Sequence, residues 1–300
     1  MTRLALSFAA LLALGTALPA QAAGPDAEQL LQDLGSAERI AQSGKLRMLS
    51  QRISASACNR AAGIATADAD KQLSRSLRDY GRIVVGLEDG DAGLGLYGPE
   101  SDRAVLSRVD RLQELWAPID ALFQETPAEA LTHEHVVTLA AAAPEMLDVS
   151  KILVSDVVAQ YSDPTQMAQS DAILLMIAER QRMLEQEISN ATCLIAEGID
   201  VPAARDQLSD AVAMYDVSLN ALRTGMPEAG VAAPPTAAID LWLGDIAERW
   251  SAMQPVLTKV RDSGEITEEE RTFVFVETNK LTWMMNVTVG QYTEASKARF

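Results

Sequence analysis

The sequence predicts an all-α protein made of two tandem up-down-up-down four-helix bundles, packed side by side through their first helices. Three observations carry this expectation. Apolar residues recur at three and four spacings nearly throughout, in long Ala/Leu/Glu/Arg stretches with few β-branched alternations. The chain also repeats itself: RMLSQRISASAC over 47–58 returns as RMLEQEISNATC over 182–193, and each copy ends in one of the two cysteines, Cys58 and Cys193. The same offset of 135 then aligns Gly63-Ile64 with Gly198-Ile199, Leu73-Ser74 with Leu208-Ser209, Tyr80 with Tyr215, Leu87 with Leu222 and Gly90 with Gly225.

Taken in order, the first 23 residues have a basic start, a short apolar run and the Ala20-Gln21-Ala22 site of a secretory leader, expected to be removed as residues 1–22. The run is shorter than the ~20 residues a membrane span needs, which argues against an N-terminal anchor. Domains are expected at 23–163 and 164–300. Periodicity places helices at 26–65, 68–88, 100–124 and 133–161, then at 165–199, 201–223, 236–262 and 267–295. Ser162-Asp163-Pro164 reads as a cap followed by a helix-starting proline, and Thr267-Glu268-Glu269-Glu270 as a capping box. Gly/Pro-rich loops begin at Glu88 and Gly225; a Trp-bearing helix follows each (Trp116, Trp250), and each half closes on a Gln-Tyr pair, Gln160-Tyr161 and Gln291-Tyr292, with the register drifting by a few residues. Pro118 and Pro255 predict a kink or an early end in the third helix of each half.

On a helix, positions 47, 51, 54 and 58 share one face. That face reads Arg-Gln-Ser-Cys in both copies: Arg47, Gln51, Ser54, Cys58 and Arg182, Gln186, Ser189, Cys193. Other faces differ in charge, with Ser50 becoming Glu185, Arg52 becoming Glu187 and Gly44 becoming Glu179. Met48, Leu49 and Ile53, with Met183, Leu184 and Ile188, are the candidate core. In an oxidising compartment the two cysteines form a disulfide by default, with two buried thiols as the alternative. A bridge requires the first helices of both halves to touch in parallel, bringing Arg47 level with Arg182; guanidinium charges about 6 Å apart would repel by roughly 3 kcal/mol at an effective dielectric near 20, and an anion between them would reverse the sign. The rival arrangement runs the fourth helix through Pro164 into the fifth, stacks the bundles end to end and forbids the bridge.

Ser43-Gly44-Lys45-Leu46-Arg47-Met48-Leu49-Ser50-Gln51-Arg52 resembles the signature of the PilJ-type domain, the N-terminal ligand-binding domain of type IV pili methyl-accepting chemotaxis transducers. It is also similar to the first-helix motif of nitrate/nitrite sensor domains in bacterial histidine kinases. Ala178-Glu179-Arg180-Gln181-Arg182-Met183-Leu184-Glu185-Gln186 is a degraded copy. The resemblance implies a small oxyanion, nitrate or nitrite, held between two arginines with help from backbone near a glycine. That carries over to Arg47 and Gly44, and to Arg182 in the second copy, with Gln51 and Gln186 beside them as candidate ligand-binding residues. Glu179 stands where the second glycine should be, so the site is asymmetric, the ligand is another, or binding is lost.

A formal net charge of −17 argues against nucleic acid and anionic lipid as partners. No haem-attachment motif, nucleophile elbow, P-loop or dinucleotide fingerprint is present, so no enzyme activity and no cofactor are expected. His133 and His135 flank Glu134 at spacings that do not converge on a helix, and the methionines read as core filler rather than copper ligands. The functional expectation is a periplasmic sensor or binding module for a small oxyanion. It would relay occupancy to a membrane partner such as a sensor kinase, chemotaxis receptor or transporter, without inserting into the membrane itself. The competing expectation is a ligand-free helical interaction or scaffold protein of the cell envelope.

Overall fold

The computed structural model describes residues 27–161 and 169–297. The expected leader and the Ser162-Asp163-Pro164 cap lie outside the described residues. Among the described residues the chain forms helices α1 (Ala27–Ala61), α2 (Thr66–Asp89), α3 (Arg103–Glu125) and α4 (His133–Tyr161) in the first half. The second half holds α5 (Gln169–Ala196), α6 (Val201–Thr224), α7 (Ala237–Ser263) and α8 (Glu268–Lys297). In each half neighbouring helices pack in a closed cycle, α1–α2–α3–α4 and α5–α6–α7–α8, and the bundles meet along α1 and α5. This is the side-by-side arrangement; the end-to-end stack is excluded.

Each bundle has its own apolar core. The first is built on Leu46, Leu49, Ile53, Leu73, Tyr80, Val109, Leu112 and Leu153, the second on Leu184, Ile188, Leu208, Tyr215, Leu243, Ile246 and Met285, all nearly inaccessible to water. At ~1.5–3 kcal/mol for each fully buried large side chain, such cores supply the main stabilising term. The repeat is kept in three dimensions. The buried positions of α2, Ala69, Leu73, Ser76, Tyr80, Ile83 and Leu87, return in α6 as Ala204, Leu208, Ala211, Tyr215, Ser218 and Leu222. Each core tyrosine stacks on its bundle's third-helix tryptophan, Tyr80 on Trp116 at 4.7 Å and Tyr215 on Trp250 at 4.2 Å between ring centroids.

Three sequence expectations need correction. The first and fifth helices end earlier than expected, because Gly63 and Gly198 take left-handed backbone (φ 78° and 70°) just past the last turn. There Ile64 N–H donates to Asn59 C=O and Gly63 N–H to Arg60 C=O, and Ile199 and Gly198 repeat the pattern on Leu194 and Ile195. Pro118 and Pro255 end neither helix; α3 and α7 continue to Glu125 and Ser263. The Gln-Tyr pairs are not equivalent positions. The buried residues Leu139, Ala143, Met146 and Leu153 of α4 match Val274, Thr278, Leu281 and Thr288 of α8 without drift, which leaves the two pairs one helical turn out of step. The capping box is formed as expected, with Glu270 N–H donating to Thr267 Oγ1 (3.2 Å) and Thr267 N–H to Glu270 Oε2 (2.9 Å).

Candidate functional site

The shared Arg-Gln-Ser-Cys face of α1 meets its copy on α5. Cys58 and Cys193 are joined by a disulfide, with their Cα atoms 6.2 Å apart. Arg271 of α8 covers the bridge: its Nη2 donates to Cys193 Sγ (2.9 Å) while its Nη1 donates to Glu197 Oε1 (2.6 Å). Pairing the helices in parallel at this point brings the two arginines, eleven residues before each cysteine, to the same level of the seam.

Between those arginines lies Glu179. Its Oε2 is 3.8 Å from Arg47 Nη2 and its Oε1 is 3.7 Å from Arg182 Nη2, so one carboxylate spans both guanidinium groups. The first-repeat counterpart of Glu179 is Gly44, and the two face each other across the seam. A side chain starting at Gly44 would place its Cβ 3.1 Å from Glu179 Oε2 and 3.5 Å from Arg47 Nη2. The missing side chain on α1 thus makes the space that the glutamate of α5 fills. Arg182 also donates through Nη1 to Asn286 Oδ1 of α8, and Arg47 Nε reaches back to Gly44 C=O at 3.5 Å.

The three charges share a dry environment. Burial lowers the pKa of Arg47; Glu179 raises it again, while Arg182 and Arg180 lower it further. Burial raises the Glu179 carboxyl above its ordinary value, and Arg182 and Arg47 hold that rise in check. The Glu179 carboxylate is costly to bury alone and is held ionised by the two guanidinium groups, and it in turn offsets the burial of Arg47. The two glutamines expected beside the arginines are engaged elsewhere. Gln51 donates to Ala143 C=O (3.3 Å) and accepts from Asn190 (3.2 Å) and Gln207 (3.3 Å), tying together α1, α4, α5 and α6. Gln186 donates to Thr282 Oγ1 (2.8 Å) and Asn279 Oδ1 (3.2 Å) on α8. Of the expected ligand-binding residues, the structure therefore gathers Gly44, Arg47 and Arg182 at one point and uses Gln51 and Gln186 to lock neighbouring helices.

Spacing makes Glu179 a candidate local partner for Arg182 on the same helix, but could not show that the same carboxylate reaches Arg47 across the seam. The available signal was the Glu179/Arg182 spacing of three, which favours an ion pair on one helix. Among the described residues no group of three or more His, Cys, Asp or Glu side chains could hold a metal ion, and no helix is long and apolar enough to cross a membrane.

A family model for PilJ, the type IV pili methyl-accepting chemotaxis transducer N-terminal domain, matches residues 9–144 and again 165–272, one segment on each bundle. The chain belongs to the PilJ family. No curated protein matches it. Each PilJ repeat thus contributes one arginine to the seam, and the second repeat alone contributes the carboxylate between them. PilJ is a sensory domain family of chemotaxis transducers, a signalling family and not an enzyme family.

Proposed function

We propose that the protein is a periplasmic sensory module, exported by removal of residues 1–22 and folded as PilJ repeats 23–163 and 164–300, that binds a small oxyanion between Arg47 and Arg182 in competition with Glu179. Nitrate and nitrite are the candidates. Occupancy is passed to a membrane partner of the sensor kinase, chemotaxis receptor or transporter type. The observation that carries this reading is the Glu179 carboxylate lying 3.8 and 3.7 Å from the two guanidinium groups: the seam has the size, the donors and the charge to hold one oxyanionic group. A tethered competitor acts at an effective concentration in the millimolar range or above, so the free anion binds only when abundant or when Glu179 is neutralised. With the Glu179 carboxyl raised above its ordinary value, protonation frees the arginines as pH falls, and affinity for nitrate increases in the same direction.

Calorimetric titration of the mature protein with nitrate and nitrite tests the reading. Wild type should bind weakly, more tightly toward acid pH; Glu179→Gln should bind at least about tenfold more tightly, worth about 1.4 kcal/mol. Arg47→Ala in the Glu179→Gln background should abolish the signal. The second reading, a ligand-free scaffold in which Glu179 permanently staples the two repeats, rests on the same contact. It gains the field if Glu179→Gln shows no saturable heat with either anion while Arg47→Ala alters only stability.

A further inference from the structure

A second charged feature borders the arginine seam without sharing its arginines, where α1, α2 and α8 enclose a cleft of about 340 Å³. Arg52 of α1, Lys71 and Arg75 of α2, and Lys280 of α8 line it, against a single carboxylate, Asp68. In a chain of net charge −17 this is a marked local reversal of sign. Asp68, Lys71 and Arg75 follow one another at helical spacing along one face of α2, which puts all three on the side that borders the cleft.

The four cations are unspent. Nearby on the same helices, Lys45 pairs with Asp79 (2.9 Å) and Arg60 with Asp70 (2.5 Å). Arg52, Lys71, Arg75 and Lys280 form no ion pair among the described residues. Arg52 Nε is sealed from water and has no hydrogen-bond partner. Burial pushes the Arg52 guanidinium down to about 10, and Glu185 draws it partly back up. Gln72 and Asn279, hydrogen-bonded to each other across the cleft, hold α2 against α8 and add amide donors to its wall.

The other repeat supplies a comparison within the molecule. Moved by the repeat offset, Arg52, Lys71, Arg75 and Lys280 correspond to Glu187, Asp206, Asp210 and Glu145. Four cations on one side of the pseudo-two-fold axis are four carboxylates on the other. The neutral Gln72 keeps its identity as Gln207, which donates to Glu187 (3.1 Å). Drift of a solvated surface would scatter signs. Inversion at all four cationic positions, with the one carboxylate Asp68 replaced by the neutral Ala203, gives one side a single electrostatic purpose.

We propose that this cleft is a second binding site, for a small oxyanion carrying two or three negative charges. Its volume is the share of about ten water molecules, room for a compact organic or inorganic polyanion rather than for nitrate alone. The reading is independent of what occupies the Arg47–Arg182 seam.

Isothermal titration of the mature protein with citrate and with inorganic pyrophosphate, at fixed ionic strength and with sodium chloride as the reference, tests it. Saturable binding of either probe is expected, citrate alone marking a polycarboxylate site and pyrophosphate alone a phosphate site. Lys71, Arg75 and Lys280 are exposed, so their replacement leaves the helical circular dichroism intact. Lys71→Ala with Arg75→Ala should weaken binding at least about tenfold, and Lys280→Glu should weaken it comparably, whereas Arg47→Ala should leave it unchanged. Absence of saturable binding of both probes up to ~10 mM overturns the proposal. So does an affinity that survives the double replacement, or one that vanishes with Arg47→Ala.

Discussion

Glu185 is a carboxyl group in a costly position. It is wholly inaccessible to water; Tyr215 O–H donates to its Oε1 at 3.0 Å, and its Oε2 has no partner. Burial raises its pKa to about 8, against the pull of Thr282, Tyr215, Arg182 and Arg52 in the other direction. Because the folded value lies above the ordinary one near 4.5, the folded state keeps a proton that the unfolded chain loses between about pH 4.5 and 8. Stability therefore falls as pH rises through that interval and levels off above it. Urea denaturation at pH 5, 6.5 and 8 should show wild type losing on the order of a few kcal/mol more than Glu185→Gln over this range. Identical slopes for the two proteins would refute the assignment. In the sequence, Glu185 is only the changed partner of Ser50, one more charge on a drifting face. Its burial depends on where α6 and α8 close over α5, which no local pattern encodes. Glu179 was illegible for the same reason: its residue type could be read, but not the space that Gly44 leaves opposite it.

At the level of elements the sequence was far more informative, because helix, core face and cap are local properties. The six buried apolar positions in α2 and the Thr267–Glu270 box follow directly from spacing and capping chemistry. What spacing could not show is how the first repeat anchors the near end of α1. Arg39 is fully buried. It donates to Leu87 C=O (3.1 Å), Glu100 Oε2 (3.2 Å) and Gly98 C=O (2.7 Å), and lies 5.4 Å from the centre of the Tyr161 ring. Tyr161 O–H in turn donates to Glu100 Oε1 (2.6 Å), so one guanidinium ties α1 to the end of α2, the following loop and the end of α4. The second repeat has Leu174 and Pro235 at the corresponding positions, and Leu174 is buried in the apolar core there. Arg39→Leu should cost about 3–5 kcal/mol, because it strands a buried Glu100. Adding Glu100→Gln should recover part of that loss in chemical denaturation; a double variant no more stable than the single one would show that packing, not charge, sets the cost.

The whole molecule is a two-fold dimer written as one chain, and the asymmetries within it are where function collects. Gly44 faces Glu179 across the seam, four cations around one cleft have four carboxylates as their counterparts in the other repeat, and the disulfide cross-links two halves that the main chain already joins. A dimer of identical repeats could place neither a single carboxylate between two arginines nor opposite charges on its two flanks. Fusion of the repeats releases both constraints, and the bridge then fixes which faces meet. Cys58 and Cys193 close a loop of 135 residues, and the chain-entropy argument gives about 5 kcal/mol of stabilisation for a loop of that size. Reduction, or the paired replacement Cys58→Ser with Cys193→Ser, should therefore lower the midpoint of thermal unfolding while each bundle keeps its helical content, since the cysteines are two small members of a large apolar core. The loosened seam should also weaken the Arg47–Glu179–Arg182 contact, because the cysteines hold α1 and α5 in register three turns away. Mass measurement with and without reductant establishes the bridge, and paired melting curves measure its contribution. If the reduced protein melts at the same temperature and the Glu179→Gln variant responds to nitrate identically in both redox states, the bridge has no part in setting the register of the seam.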